Sequence, residues 1–188
     1  MQRENWLDTC SGCLLISAFV KVDFRQIKPE GSEFTFAVSA EDVELSAEGV
    51  EFPEPVELAL TATKTGDEII FQGAVTTTAE LDCSRCLERF ELPIRSKMQF
   101  VIQLLEMNSP QDSDDEDFIV LPKTTQEYDL SERVREAILL ELPLKPLCSV
   151  SCRGLCPMCG TNLNESSCEC TPDKTDERWE SLRQLFDQ

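Results

Sequence analysis

Six of the ten cysteines in this 188-residue chain fall between positions 148 and 170, in CSVSCRGLCPMCGTNLNESSCEC. Within that stretch Cys156-Pro157-Met158-Cys159-Gly160 reads as a knuckle. Two thiolates three positions apart can share one metal when the chain turns sharply between them. Pro157 limits the turn and Gly160 tolerates the positive φ that such turns demand. Cys168 and Cys170 return as a second, tighter pair. Four thiolates in two close pairs, with a short loop between, suit tetrahedral zinc. Cys156, Cys159, Cys168 and Cys170 are therefore the first choice of ligands. Cys148 and Cys152 form a third pair just upstream. One closed site takes four ligands, so this pair is either spare or part of a second site.

Disulfides and free buried thiols are the competing readings of the same cysteines. Residues 1–8 are polar and lack the positively charged, apolar pattern of a leader. The expectation is a reducing, cytoplasmic setting, where disulfides are rare. Free buried thiols seldom crowd this densely. A catalytic zinc keeps one position open and often takes a histidine. This chain has no histidine and four sulfurs close the shell, so a bound zinc is expected to be structural, with no catalytic residues.

The formal net charge is −19, and metal-bound thiolates make it more negative. Phosphate binding rests on lysine and arginine, so bare nucleic acid is a poor partner. Basic partners are attracted instead. The longest apolar run, Cys13 to Val20, is far short of the roughly 18 residues that a membrane helix needs, and no membrane partner is expected.

Ahead of the cysteine-rich stretch the chain is patterned for strands. Phe34, Phe36 and Val38 alternate with smaller or polar residues, as do Val56, Leu58 and Leu60. Glu41 to Glu57, between them, holds seven acids and no base; it reads as a solvated connection or as a docking face for a basic protein. Lys64-Thr65-Gly66-Asp67 is a turn signal. Strands are expected through Ile69–Phe71 and through the threonine-rich Val75–Leu81. Phe90, Leu92 and Ile94 alternate again, and Phe100–Leu105 continues the pattern, which puts Cys83-Ser84-Arg85-Cys86 at the tip or shoulder of a hairpin. Residues 109–117, SPQDSDDED, read as a flexible acidic loop. Phe118–Leu121 reads as a short closing strand. Asp129 as N-cap and Glu132 at the third helical position make a capping box. The helix that follows has an apolar face of Leu130, Val134, Ala137, Ile138 and Leu142, and Pro143 ends it. Trp179, Leu182 and Phe186 mark a final helix. The N-terminal Cys10 and Cys13 form another C-x-x-C without the knuckle's glycine, and read either as metal ligands or as small buried residues at a strand edge.

The expected fold class is α+β: a mostly antiparallel body of about five to seven strands, one or two helices, and a cysteine-rich, zinc-binding C-terminal tail. The divisions are 1–122 for the body, 123–147 for the amphipathic helix and its connector, and 148–188 for the tail. Cys83 and Cys86 make a second metal site by arithmetic. Joined to Cys148 and Cys152 they complete a second set of four sulfurs and tie the hairpin to the tail, though spacing only permits this.

The order of these pieces resembles a known family. A β-rich body leads to Cys83-Ser84-Arg85-Cys86-Leu87 and Phe90. A helix follows, with Asp129-Leu130 at its start and Glu141-Leu142-Pro143 at its end. Then come Cys152-Arg153-Gly154-Leu155-Cys156-Pro157-Met158-Cys159-Gly160-Thr161-Asn162-Leu163-Asn164, a C-x-C pair and a tryptophan-bearing segment. Over residues 20–188 this is similar to the YceD family, the large-subunit ribosomal RNA accumulation proteins. The resemblance implies a bacterial or organellar protein needed for 23S ribosomal RNA to accumulate, a role in ribosome assembly on the large-subunit precursor, and no enzyme activity.

Two ways of fulfilling that role follow from the charges. The acidic segments 41–57 and 112–117 suit contact with a basic ribosomal protein. Alternatively Arg85, Arg89, Arg95 and Lys97, close together around the central hairpin, contact RNA directly but weakly. A third reading is a thiol redox protein or a nuclease. Redox C-x-x-C motifs usually open a helix in an α/β setting, whereas this one sits in a hairpin. Nuclease chemistry wants converging carboxylates around a metal, and no such pattern appears.

Overall fold

The computed structural model describes residues 20–106 and 117–170. Cys10 and Cys13, the acidic loop up to position 116, and the segment bearing Trp179, Leu182 and Phe186 lie outside the described residues. The strands are β1 (Lys21–Asp23), β2 (Ser32–Val38), β3 (Val50–Glu51), β4 (Val56–Thr65), β5 (Glu68–Asp82), β6 (Arg89–Leu105), β7 (Phe118–Pro122) and β8 (Glu127–Asp129), followed by the helix α1 (Ser131–Glu141). The fold is α+β and mostly antiparallel, as the alternation implies.

Among the described residues six strands form the main sheet, in the order β2-β4-β5-β6-β7, with β3 pairing β5. The two threonine-rich and apolar segments expected as separate strands are one continuous strand, β5. The β4–β5 hairpin closes through Gly66 and Asp67 between the paired Thr65 and Glu68. Positive φ occurs at Gly66 and not at Asp67, the sign pattern of a type II′ turn, whose twist matches that of the strands. The β5–β6 hairpin runs without slip from Glu68↔Gln103 to Asp82↔Arg89 and carries Cys83 and Cys86 at its tip. Pro93 falls within β6 where β7 does not reach, so its missing N–H costs no ladder bond there.

Alternation along these strands gives the sheet one apolar and one polar face. The apolar side includes Leu58, Phe71, Val75, Phe100 and Ile102, all buried, and Phe71 stacks on its register partner Phe100 at 4.8 Å between ring centroids. Helix α1 covers β5 and β6 with Val134 and Ile138. Val43 and Leu45 also enter this core, so the acidic 41–57 segment is more than a solvated connection. It packs two apolar residues and adds the short strand β3.

Three features depart from the sequence reading. β7 pairs with β6 in parallel, which needs a crossover rather than a tight turn. β1 and β8 make a second, two-stranded sheet from residues too few to show a period. The capping box does not form as expected. Leu130 is the N-cap residue, without a side-chain cap bond. Asp129 ends β8 opposite Lys21 and the Leu130 N–H is bonded to Val20 O at 2.7 Å, so the strand holds this junction. Asp129 Oδ1 accepts from Ser131 N at 2.9 Å, while Glu132 faces Arg135 at 3.7 Å. No helix among the described residues is long and apolar enough to cross a membrane.

Candidate metal centres

The tip of the β5–β6 hairpin is built like the knuckle in the tail. Leu87 N donates to Cys83 O, and Gly160 N to Cys156 O, each at 2.9 Å. The residue after the second cysteine has positive φ in both, 60° at Leu87 and 74° at Gly160. A leucine in this conformation is strained, and its side chain, 67% exposed, regains little by burial. Leu87→Gly is therefore expected to leave thermal stability unchanged or to raise it, by up to about 1 kcal/mol. A denaturation curve shifted to lower stability would show that the leucine side chain holds the knuckle.

Among the described residues, two backbone bonds dock the tail and its connector on this hairpin tip. Ser84 N donates to Pro146 O at 2.8 Å and Leu155 N to Arg85 O at 3.0 Å. Arg85 Nη1 adds a bond to Cys152 O at 2.8 Å. Gly154, with φ 75°, lies against Arg85, and a Cβ there would stand 3.0 Å from Arg85 O. This docking brings together Cys83, Cys86, Cys148 and Cys152, whose sulfurs all lie within 4.8 Å of one another. Cys83–Cys152 is 3.8 Å and Cys86–Cys148 is 3.6 Å. Four sulfurs about 2.3 Å from one zinc would stand about 3.8 Å apart along each tetrahedral edge. Cys83, Cys86 and Cys152 are buried against Phe90 and Leu147, and Cys148 is exposed.

The second tetrad is Cys156, Cys159, Cys168 and Cys170, again within 4.8 Å. A single bridge between Leu155 and Asn162 closes the knuckle, with Cys156 N bonded to Thr161 O at 2.8 Å. Thr161 Oγ1 is 3.1 Å from Cys159 Sγ. Cys156 is buried, Cys168 half-buried, and Cys159 and Cys170 exposed. The six tail cysteines are thus divided: Cys148 and Cys152 are grouped with the hairpin, and the other four with one another.

Crowding makes the sulfurs unequal. Burial pushes the Cys83 thiol up, but N–H groups of Cys148, Cys86 and Arg85 outweigh it and bring it to about 6. Cys152 is also lowered, chiefly by the Asn164 amide. For Cys86 the Glu88 N–H favours the thiolate, yet burial and the Cys83 sulfur leave it raised. Cys148 is driven to about 12, first by its bond to Cys86 and then by burial. In the second tetrad Cys156 is lowered by the N–H groups of Cys159 and Met158. Cys159 is lowered to about 6, chiefly by Thr161. Cys168 is raised, the helpful Cys170 N–H being outweighed by the Cys156 sulfur and by burial. Cys170 reaches about 12, chiefly through Cys159. Each tetrad thus sets two lowered sulfurs beside two raised ones, and a divalent cation can displace the protons that the raised ones keep. Either tetrad could hold a metal ion; all eight donors are soft sulfurs, which zinc accepts readily.

The basic residues of the hairpin differ in their surroundings. Arg85 is turned onto the Cys152 carbonyl. Arg89 sits 2.8 Å from Glu51 and within 3.9 Å of Glu80 and Asp82. Arg89, Arg95 and Lys97 share the exposed face of β6, and Arg95 and Lys97 have no ion pair with another described residue. Residue order alone assigns no role to Asn164 or Thr161, although both stand in the tail motif.

The family model described as Large ribosomal RNA subunit accumulation protein YceD matches residues 71–186, which takes in the long hairpin from Phe71 onward, α1 and both sulfur tetrads. The chain belongs to the YceD family. Among YceD relatives, the maize Large ribosomal RNA subunit accumulation protein YCED homolog 1, chloroplastic, is 30% identical over 154 residues, covering 68% of this chain and 53% of the maize protein. The Arabidopsis thaliana protein of the same name is 24% identical over 176 residues, covering 80% and 55%. An uncharacterized Mycobacterium tuberculosis protein is 29% identical over 133 residues, covering 70% and 62%. The chain spans about half the length of the two plant relatives. No solved structure matches it significantly.

Proposed function

We propose that this YceD-family chain is a non-enzymatic, cytoplasmic assembly factor that promotes accumulation of large-subunit (23S) ribosomal RNA by contacting a basic ribosomal protein on the subunit precursor. The family name supports the ribosomal RNA part of this reading. The observation that carries the rest is the exposure of all seven acids between Glu41 and Glu57, on a segment anchored to the core by Val43 and Leu45. Such a face attracts a basic partner and repels phosphate. In this reading both tetrads bind zinc as structural sites. When bound, the zinc supplies cross-links that hold the tail on the hairpin. Arg85 and Asn164 orient the sulfur-bearing backbone, and burial excludes water from Cys83, Cys86 and Cys152.

The same face supplies the test. The side chains of Glu41, Glu48 and Glu57 take part in no described hydrogen bond or ion pair, so changing all three to glutamine is expected to leave the fold intact. Association with the basic partner is expected to slow by about 10-fold, and the ratio of 23S to 16S ribosomal RNA in cells relying on the variant is expected to fall. The direct-RNA reading is favoured by Arg95 and Lys97, which stand on one face of β6 without ion pairs among the described residues. If Arg95→Glu with Lys97→Glu abolishes 23S accumulation while the glutamine triple does not, RNA is read by the hairpin and the protein-contact reading is wrong.

A further inference from the structure

The segment Cys152-Arg153-Gly154-Leu155-Cys156 runs from one tetrad directly into the other, and Asn164 clasps it. Asn164 Oδ1 accepts from Arg153 N at 2.7 Å. Its Nδ2 donates to Asn162 Oδ1 at 2.9 Å and lies 3.3 Å from Cys152 Sγ. The orientation of the amide follows from these partners. A flipped side chain would set NH2 against the Arg153 N–H and oxygen against both Cys152 sulfur and Asn162 oxygen. The loop carrying Asn164 belongs to the second tetrad: it lies between Cys159 and Cys168, and Leu163 N is bonded to Gly154 O at 2.9 Å. Asn162 Nδ2 reaches Glu88 Oε1 on the hairpin at 3.4 Å. A residue held by the fold of one tetrad thus donates to a sulfur of the other.

We propose that Asn164 is the positioning residue that couples the two metal centres, its side-chain amide steadying the Cys152 sulfur of the first while the loop of the second holds that amide in place. An N–H donor to a ligand sulfur favours the thiolate and fixes its direction toward the metal. The carbonyl end, bonded to Arg153 N, fixes the backbone between Cys152 and Cys156. When the second centre is loaded, its loop is held and the amide is presented to Cys152. When that centre is lost, the amide is released and the first centre weakens. This inference rests on the reading of both tetrads as metal sites.

The test is cobalt(II) titration of the full chain, read through thiolate-to-cobalt charge-transfer absorption. Cys159→Ser with Cys170→Ser removes the second centre and leaves the first to be read alone. Asn164→Asp keeps the acceptor for Arg153 N and removes the donor to sulfur. Asn164→Ala removes both without adding charge. Either change is expected to weaken the first centre by about 10–100-fold, and to move its charge-transfer band to lower energy because the sulfur has lost a hydrogen bond. Loss of the second centre is expected to weaken the first when Asn164 is present and to add nothing in Asn164→Ala. Far-UV dichroism confirms that the sheet is intact in each variant. If both Asn164 variants bind cobalt within about twofold of the parent with an unmoved band, or if the two losses simply multiply, the coupling is overturned. If the unaltered chain gives no charge-transfer band, the metal reading itself fails, and the coupling with it.

Discussion

Gly73→Ala is expected to destabilise the whole sheet by about 3 kcal/mol, lowering the midpoint of thermal unfolding by about 6–12 °C in a chain of this size. Gly73 lies in β5, between β4 and β6, opposite Leu60 on one side and Met98 on the other. It falls on the core-facing side of the alternation, between the buried Phe71 and Val75. A Cβ there would stand 2.7 Å from Leu60 Cα and closer still to Ala59 O. These are backbone atoms of a paired strand, so no rotamer change relieves the overlap. β4 must move away from β5, at the expense of ladder bonds and of the packing of Leu60. Gly66 is the contrasting case. It needs its positive φ but faces open space, so Gly66→Asn is expected to cost far less, asparagine being tolerated in such turns. Equal midpoints for the two variants in a thermal melt would contradict the register of β4 and β5.

Cys83→Ser is expected to reduce bound metal by one equivalent and to free the tail from the hairpin. Cys83 is fully buried and stands beside Cys152, so its loss opens a closed four-sulfur shell. Structural zinc in small domains contributes an apparent ~10–16 kcal/mol, far more than the few hydrogen bonds that otherwise dock the tail. Limited proteolysis should then cut within residues 142–170, while far-UV dichroism of the sheet persists, since its core is made by other residues. Metal loading should also depend steeply on pH. Cys86 and Cys148 in one tetrad, and Cys168 and Cys170 in the other, are raised and must lose protons on binding. Their partners Cys83 and Cys159, near 6, are already thiolates at neutral pH. At least two protons released per centre make apparent affinity fall by about 100-fold or more for each unit of acidification near pH 7, and rise on going alkaline. An affinity independent of pH would mean that the thiols are not the ligands.

Much of this arrangement is legible in residue order, and for identifiable reasons. Strands β2, β4 and β6 show a period of two because one face of the sheet is buried and the other is not. The tail tetrad is legible because its four cysteines lie close in sequence and Gly160 supplies the positive φ. For Cys83 and Cys86, residue order supplies a count of sulfurs but no reason to meet Cys148 and Cys152. That meeting depends on Ser84 reaching Pro146 and Leu155 reaching Arg85, contacts across more than sixty positions that no spacing rule carries. Leu87 conceals its likeness to Gly160, since leucine does not advertise a left-handed backbone. The parallel placement of β7 and the pairing of β1 with β8 are likewise long-range. Arg85 reads as a surface base because sequence carries its charge but not the carbonyl that it serves.

Two closed sulfur centres, one fastening the tail to the hairpin and one shaping the tail, are the central claim. It is tested most directly by counting metal per chain in protein purified under reducing conditions, using elemental analysis together with native mass spectrometry. Two zinc ions per chain are expected, falling to one in Cys83→Ser and to one in Cys159→Ser. An unaltered chain that carries no metal, or one whose metal count is unchanged by replacement of Cys83, would contradict it.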